Sequence, residues 1–107
     1  MRIEDILEAV EKINRNTTGI SFDDFAADET KADAVLWNFS IIGEAANHVP
    51  NEVQARYPAV PWARMRGMRN VLIHEYPRID LKIVWDTATN DLPPVVPQLR
   101  EILEREL

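Results

Sequence analysis

The sequence predicts an all-α protein, an antiparallel bundle of four to five helices with short connections. Three observations carry that prediction. Apolar residues recur at helical spacing along most of the chain, as at Ile3, Ile6, Leu7, Val10 and Ile13. No apolar–polar alternation lasts long enough to build a sheet. Prolines fall between the periodic runs, at Pro50, Pro58, Pro77 and Pro93–Pro94, where a helix has to stop. The 107 residues suit one domain, residues 1–107, without repeat, linker or low-complexity segment. A chain this short buries a modest core, and pairing of two copies is a common way to bury more.

The elements follow in order. Ile3 to Ile13 forms a first amphipathic helix, ended by the polar turn Asn14, Asn16, Thr17, Thr18 and Gly19. Ser21 with Asp24 marks a weak helix start, with Phe22 and Phe25 as core plugs. A second helix runs from near Asp28 to His48 on Ala32, Val35, Leu36, Phe39, Ile42, Ala45 and Ala46. Gly43 and the two alanines are small enough to admit another helix closely. Asn51 to Tyr57 makes a short helix before Pro58, and Pro61 suits a first helical position. The third long helix runs from about Trp62 or Arg66 to Tyr76, with Met65, Met68, Val71 and Leu72 as its apolar stripe. Asp80 caps a helix carrying Leu81, Ile83, Val84 and Trp85. Asn90-Asp91-Leu92-Pro93-Pro94 breaks or kinks it, and Val95 to Leu107 is helical again, with Leu99, Ile102 and Leu103 inward.

Composition narrows the function classes. There is no cysteine, so disulfides and thiolate metal ligands are excluded. Three glycines cannot build a Gly-rich phosphate loop, and two histidines, His48 and His74, argue against a histidine-rich metal site. No metal and no cofactor are expected. No apolar run suits a membrane span, and the acidic start does not read as a signal peptide, so a cytoplasmic protein without membrane contact is expected. A net charge of -6 and a pI near 4.8 argue against general nucleic-acid binding. Between Arg64 and Lys82, however, Arg64, Arg66, Arg69, Arg78 and Lys82 stand against Glu75 and Asp80. That segment is net positive inside an acidic chain; it is either a solvated face or an RNA-facing one, with Arg66, Arg78 and Lys82 as candidate RNA contacts.

The chemistry concentrates in Arg69-Asn70-Val71-Leu72-Ile73-His74-Glu75-Tyr76. A histidine titrates near neutrality and can move a proton. An arginine offers a permanently charged fork of donors that fits a phosphate. Together they meet the minimum needs of metal-free RNA cleavage. His74 would deprotonate the ribose 2′-hydroxyl or protonate the leaving oxygen, and Arg69 would hold the scissile phosphate and stabilise its developing charge. Positions five apart differ by about 140° around a helix, so Arg69 and His74 do not share a face, whereas Arg69 and Tyr76 nearly do. Either the helix loosens before Pro77, or the site is assembled from two chains about a two-fold axis; the second is preferred. Glu44, in the apolar half of the second helix, reads either as an exposed or locally paired acid or as the carboxylate that holds an arginine of the motif. His48 reads as a hydrogen-bond donor to carbonyls at the end of that helix.

These residues resemble the HEPN superfamily, and within it the toxin half of HEPN/minimal-nucleotidyltransferase toxin–antitoxin pairs. The family motif, Arg, a polar residue, variable positions, then His, matches Arg69, Asn70 and His74, and the branch's His-x-Tyr matches His74-Glu75-Tyr76. Ile41-Ile42-Gly43-Glu44-Ala45, Pro61-Trp62, Gly67-Met68-Arg69-Asn70, Asp80-Leu81, Val84-Trp85 and Asn90-Asp91-Leu92-Pro93 are similar to further family blocks, in the same order. Pro77-Arg78 departs from it, since relatives often carry an aromatic and a glycine there. The resemblance implies a homodimeric, metal-independent endoribonuclease, the toxin of a type VII pair. Arg69 and His74 would be catalytic and Asn70 would assist. A nucleotidyltransferase antitoxin would neutralise it by attaching AMP to Tyr76. The alternative is a non-catalytic helical module that binds such a transferase or a nucleotide.

Overall fold

A computed structural model describes residues 2–75 and 78–106, with only the backbone described for 71–75. Four long helices make the bundle: α1 (Ile3–Arg15), α3 (Glu29–Asn47), α5 (Trp62–Glu75) and α7 (Val96–Arg105). Three short helices of six residues each connect them: α2 (Phe22–Ala27), α4 (Asn51–Arg56) and α6 (Leu81–Asp86). The protein is therefore all-α, an antiparallel bundle. α3 packs most extensively on α5 and also meets α1, which in turn carries α7.

The periodicity explains which faces are inside. Ile3, Ile6, Ala9, Val10 and Ile13 are the buried stripe of α1, and Leu99 and Ile102 that of α7. Each such side chain taken from water contributes about 1.5–3 kcal/mol before entropy is charged against it. Phe25 is fully buried as expected, while Phe22 is half-buried and meets Trp85 edge-on with ring centroids 6.1 Å apart.

Polar side chains start and stop the helices. Ser21 accepts from the Asp24 amide at 3.1 Å and Asp28 from the Lys31 amide at 3.1 Å, so α2 and α3 begin where these side chains satisfy otherwise unpaired N–H groups. Asp80 accepts from the Lys82 amide at 2.9 Å and starts α6. The predicted break after α6 takes a definite form. The chain widens into a π-turn over Thr87–Asp91, closed by the Leu92 amide on the Thr87 carbonyl at 3.1 Å. It then tightens into a 3₁₀ turn at Pro93–Val95 before α7. The prolines cannot donate to a continuing α-helix, and the change of pitch keeps Ala88, Leu92 and Val95 all buried.

The C-terminal end is tied back by side chains. Glu106 accepts from Arg56 Nε at 3.1 Å and from the Tyr57 hydroxyl at 2.9 Å, and Arg56 Nη2 also pairs with it. The hydrogen bond from Arg56 holds the Glu106 carboxyl below the usual carboxylate range. Desolvation, reinforced by the bond to Glu106, raises the Tyr57 phenol.

Among the described residues, no helix is long and apolar enough to cross a membrane.

Candidate functional site

The motif helix α5 is positioned by its contact with α3. The two backbones meet at Gly43. A methyl group built there would lie 2.5 Å from the Arg69 amide nitrogen and 2.6 Å from Arg69 Cβ, closer than any side-chain carbon can sit. Glycine is therefore required at the crossing itself, and the residue it admits is Arg69. One position further along α3, Glu44 Oε2 lies 3.2 Å from Arg69 Nη1. Both side chains remain roughly half exposed, 49% for Arg69 and 43% for Glu44. The sequence allowed Glu44 two readings, and both hold: it is a part-exposed acid with a local neighbour in His48, and it pairs with the arginine of the motif.

His48 completes this row. Its Nδ1 donates to the Glu44 carbonyl oxygen at 2.8 Å, as expected of a donor at a helix end, and lies 3.6 Å from Glu44 Oε1. The carboxylate of Glu44 thus stands between a guanidinium and an imidazole.

Arg69 and Glu44 edge a groove of about 570 Å³ between α1 and α3. Trp37, Ile41 and Ala45 line it from α3, and Arg2, Asp5, Glu8 and Lys12 border it from α1. Trp37 is 64% exposed although it is among the largest apolar side chains in the chain. It lies one helical repeat before Glu44, so Trp37, Ile41, Glu44 and His48 form one stripe. Sequence reading missed Trp37. The available signal was its position between the buried Leu36 and the buried Asn38 and Phe39, off the inward register of Val35, Phe39 and Ile42.

Three of the other predicted cations are held by partners on different elements. Arg64 Nη2 is 2.8 Å from Asp91 Oδ2, which fastens α5 to the π-turn. Arg66 Nη1 donates to Gln54 Oε1 at 2.6 Å, and Gln54 Nε2 donates to the Ala46 and Val49 carbonyls at 3.2 and 3.0 Å. Gln54 thus links α5 to the end of α3, a role sequence reading did not find. Lys82 Nζ sits 5.0 Å above the Phe22 ring and 3.4 Å from Asp86 Oδ1. Arg78 and Asn70 are exposed.

His74 belongs to α5, which continues α-helical to Glu75. The helix therefore does not loosen between Arg69 and His74, one of the two arrangements the spacing left open. The His74 side chain and Tyr76 lie outside the described residues. Among the described residues, no group of three or more His, Asp or Glu side chains is placed to hold a metal ion.

Comparison with known proteins gives the family. The family model described as Ribonuclease HepT-like matches residues 6–104. A Thermococcus cleftensis protein named Probable ribonuclease HepT is 41% identical over 91 residues, covering 85% of this chain and 83% of that protein. A protein of Caldanaerobacter subterraneus subsp. tengcongensis, provisionally named as an RNase, is 38% identical over 104 residues, 97% of this chain and 93% of the relative. A Methanocaldococcus jannaschii protein, also provisionally named as an RNase, is 36% identical over 100 residues, 94% of this chain and 83% of its own length. No solved structure matches the chain. With a family model spanning nearly the whole sequence and relatives matched along most of their length, the chain belongs to the HepT-like ribonuclease family of the HEPN superfamily.

Proposed function

We propose that this chain is a metal-independent endoribonuclease toxin whose site is composed of Arg69 and His74 from two copies of the chain. Arg69 holds the scissile phosphate and stabilises its developing charge. His74 exchanges the proton of the 2′-hydroxyl or of the leaving oxygen, and Asn70 assists as a hydrogen-bonding group. The observation that carries the reading is Arg69 itself: a half-exposed guanidinium, fixed by a backbone crossing and a carboxylate, at the edge of an open groove. The unbroken helix to Glu75 supports assembly from two chains, because about 140° separates positions 69 and 74 around it. The groove supports it as well. Its exposed tryptophan and the opposite charges of Arg2 and Asp5 suit a self-complementary face.

In this reading the partner is a nucleotidyltransferase antitoxin, and the modification is AMP on Tyr76. Positions 69 and 76 nearly share a face of an ideal helix, so an added phosphodiester would bring a negative charge and a bulky base to compete with RNA phosphate for the arginine's donors.

The deciding assay is cleavage of single-stranded RNA by the purified protein in EDTA. Cleavage is expected, and His74→Ala is expected to abolish it while the protein stays folded. Retained cleavage in that variant removes His74 from the mechanism.

A second reading, a non-catalytic module that binds the transferase or a nucleotide, is favoured by one observation. Arg64, Arg66 and Lys82 each hold a partner within the chain, so the basic segment offers RNA little shared field. It predicts no RNA cleavage under any condition and a stable complex with the transferase.

A further inference from the structure

Resting on the ribonuclease reading above, we infer that Glu44 is the positioning residue of the site: it aims the Arg69 guanidinium at the scissile phosphate.

The geometry separates this role from an ordinary surface ion pair. An exposed pair contributes little to stability, since solvent screens it and two long side chains must be ordered. Here the ordering is already done. The two Cα positions are fixed by the contact of Gly43 with the Arg69 backbone, so the carboxylate and the guanidinium start from backbones in direct contact. On its other side the Glu44 carboxylate has the His48 ring, held by a bond from Nδ1 to the Glu44 main-chain carbonyl at 2.8 Å, 3.6 Å from Oε1.

The contact uses only part of the arginine. Glu44 Oε2 meets Nη1 at 3.2 Å, and a guanidinium carries five N–H donors in a planar fork. Among the described residues Nη2 and Nε meet no second carboxylate and can take a phosphate, while the ion pair with Glu44 draws the guanidinium toward α3. The carboxylate has an opposite effect on the approaching substrate. Its negative charge beside Arg69 weakens attraction for the ground-state phosphate. Glu44 therefore trades substrate affinity for a guanidinium held where charge develops.

That trade gives a signature that unfolding cannot imitate. Loss of folded protein lowers kcat and leaves KM where it was. Glu44→Gln, which keeps shape and removes charge, is expected to lower kcat by about tenfold or more and to lower KM by about threefold. Glu101→Gln, a surface acid on α7, controls for loss of one negative charge and is expected to match wild type in both. A binding measurement on an uncut single-stranded RNA oligonucleotide, made in the His74→Ala background, provides the second arm. There Glu44→Gln is expected to tighten binding, and adding Arg69→Ala is expected to erase that gain, because Glu44 acts through Arg69.

The outcomes are distinct. If wild-type protein cleaves RNA and Glu44→Gln matches it in kcat and KM, this inference fails and the ribonuclease reading stands. A binding gain that survives Arg69→Ala also overturns it, since the charge then acts without the arginine. If wild-type protein cleaves no RNA, the ribonuclease reading fails and the positioning role falls with it.

Discussion

At the scale of single residues, the most constrained position is Gly43. Its α-hydrogen faces the Arg69 backbone where any Cβ would clash at 2.5 Å. Backbone atoms cannot swing aside as the end of a flexible side chain can, so α3 and α5 must part to admit a methyl group. Gly43→Ala is expected to destabilise the fold by about 1–3 kcal/mol, the usual range for overpacking, read as a lower urea midpoint. An unchanged midpoint would mean that the two helices cross less tightly than the geometry indicates. Sequence alone marked Gly43 as small enough for close approach. It did not say which helix approaches, or that the contacting residue is Arg69, because that depends on the register of α3 against α5. Glu44 was legible as a choice between two roles for the same reason. Trp37 was legible as a position off the buried register, but not as the wall of a groove.

Elements were the most legible scale. Stripes such as Ile3, Ile6, Val10 and Ile13 state their own period, and Ser21, Asp28 and Asp80 sit where side-chain acceptors begin helices. The ties between distant elements were opaque. Arg56 and Tyr57 meet Glu106 across some fifty positions of chain, and no local pattern announces that meeting. Its consequence concerns acid stability. Glu106 is held below its ordinary carboxylate range by Arg56 and Tyr57, so the folded form binds the proton less readily than the unfolded chain. The stabilisation is present above the unfolded carboxylate pKa and is lost as pH falls through the folded one. Glu106→Gln is accordingly expected to lower the melting temperature slightly at pH 7. It should make no difference at a pH below both carboxylate values. Equal effects at both pH values would show that shape, not charge, ties the C-terminal end.

For the whole molecule, the central question is what the exposed stripe of α3 meets. Trp37 on an open groove beside Arg69 is the kind of side chain that anchors an interface, and its opposite-signed neighbours on α1 suit a copy of the same surface. Trp37→Ala is expected to shift sedimentation from dimer to monomer and to reduce RNA cleavage with it. A wild-type monomer would contradict a site shared between two chains, and a dimer indifferent to Trp37 would move the interface elsewhere. The net charge of -6 and the local pairing of Arg64, Arg66 and Lys82 bear on the same scale. They predict a shallow salt dependence of RNA binding, a slope of about one or two phosphates per chain, measured as log Kd against log salt. A slope of six or more would require a basic surface that these ion pairs do not leave open.

The most direct measurement mixes two inactive variants. Arg69→Ala and His74→Ala are each purified, then unfolded and refolded together. If every site takes its arginine from one chain and its histidine from the other, half the dimers are mixed and each holds one intact site. Cleavage should then return to about a quarter of the wild-type rate. Activity no higher than that of the separate variants, in a mixture shown to contain the mixed dimer, would contradict a site shared between two chains.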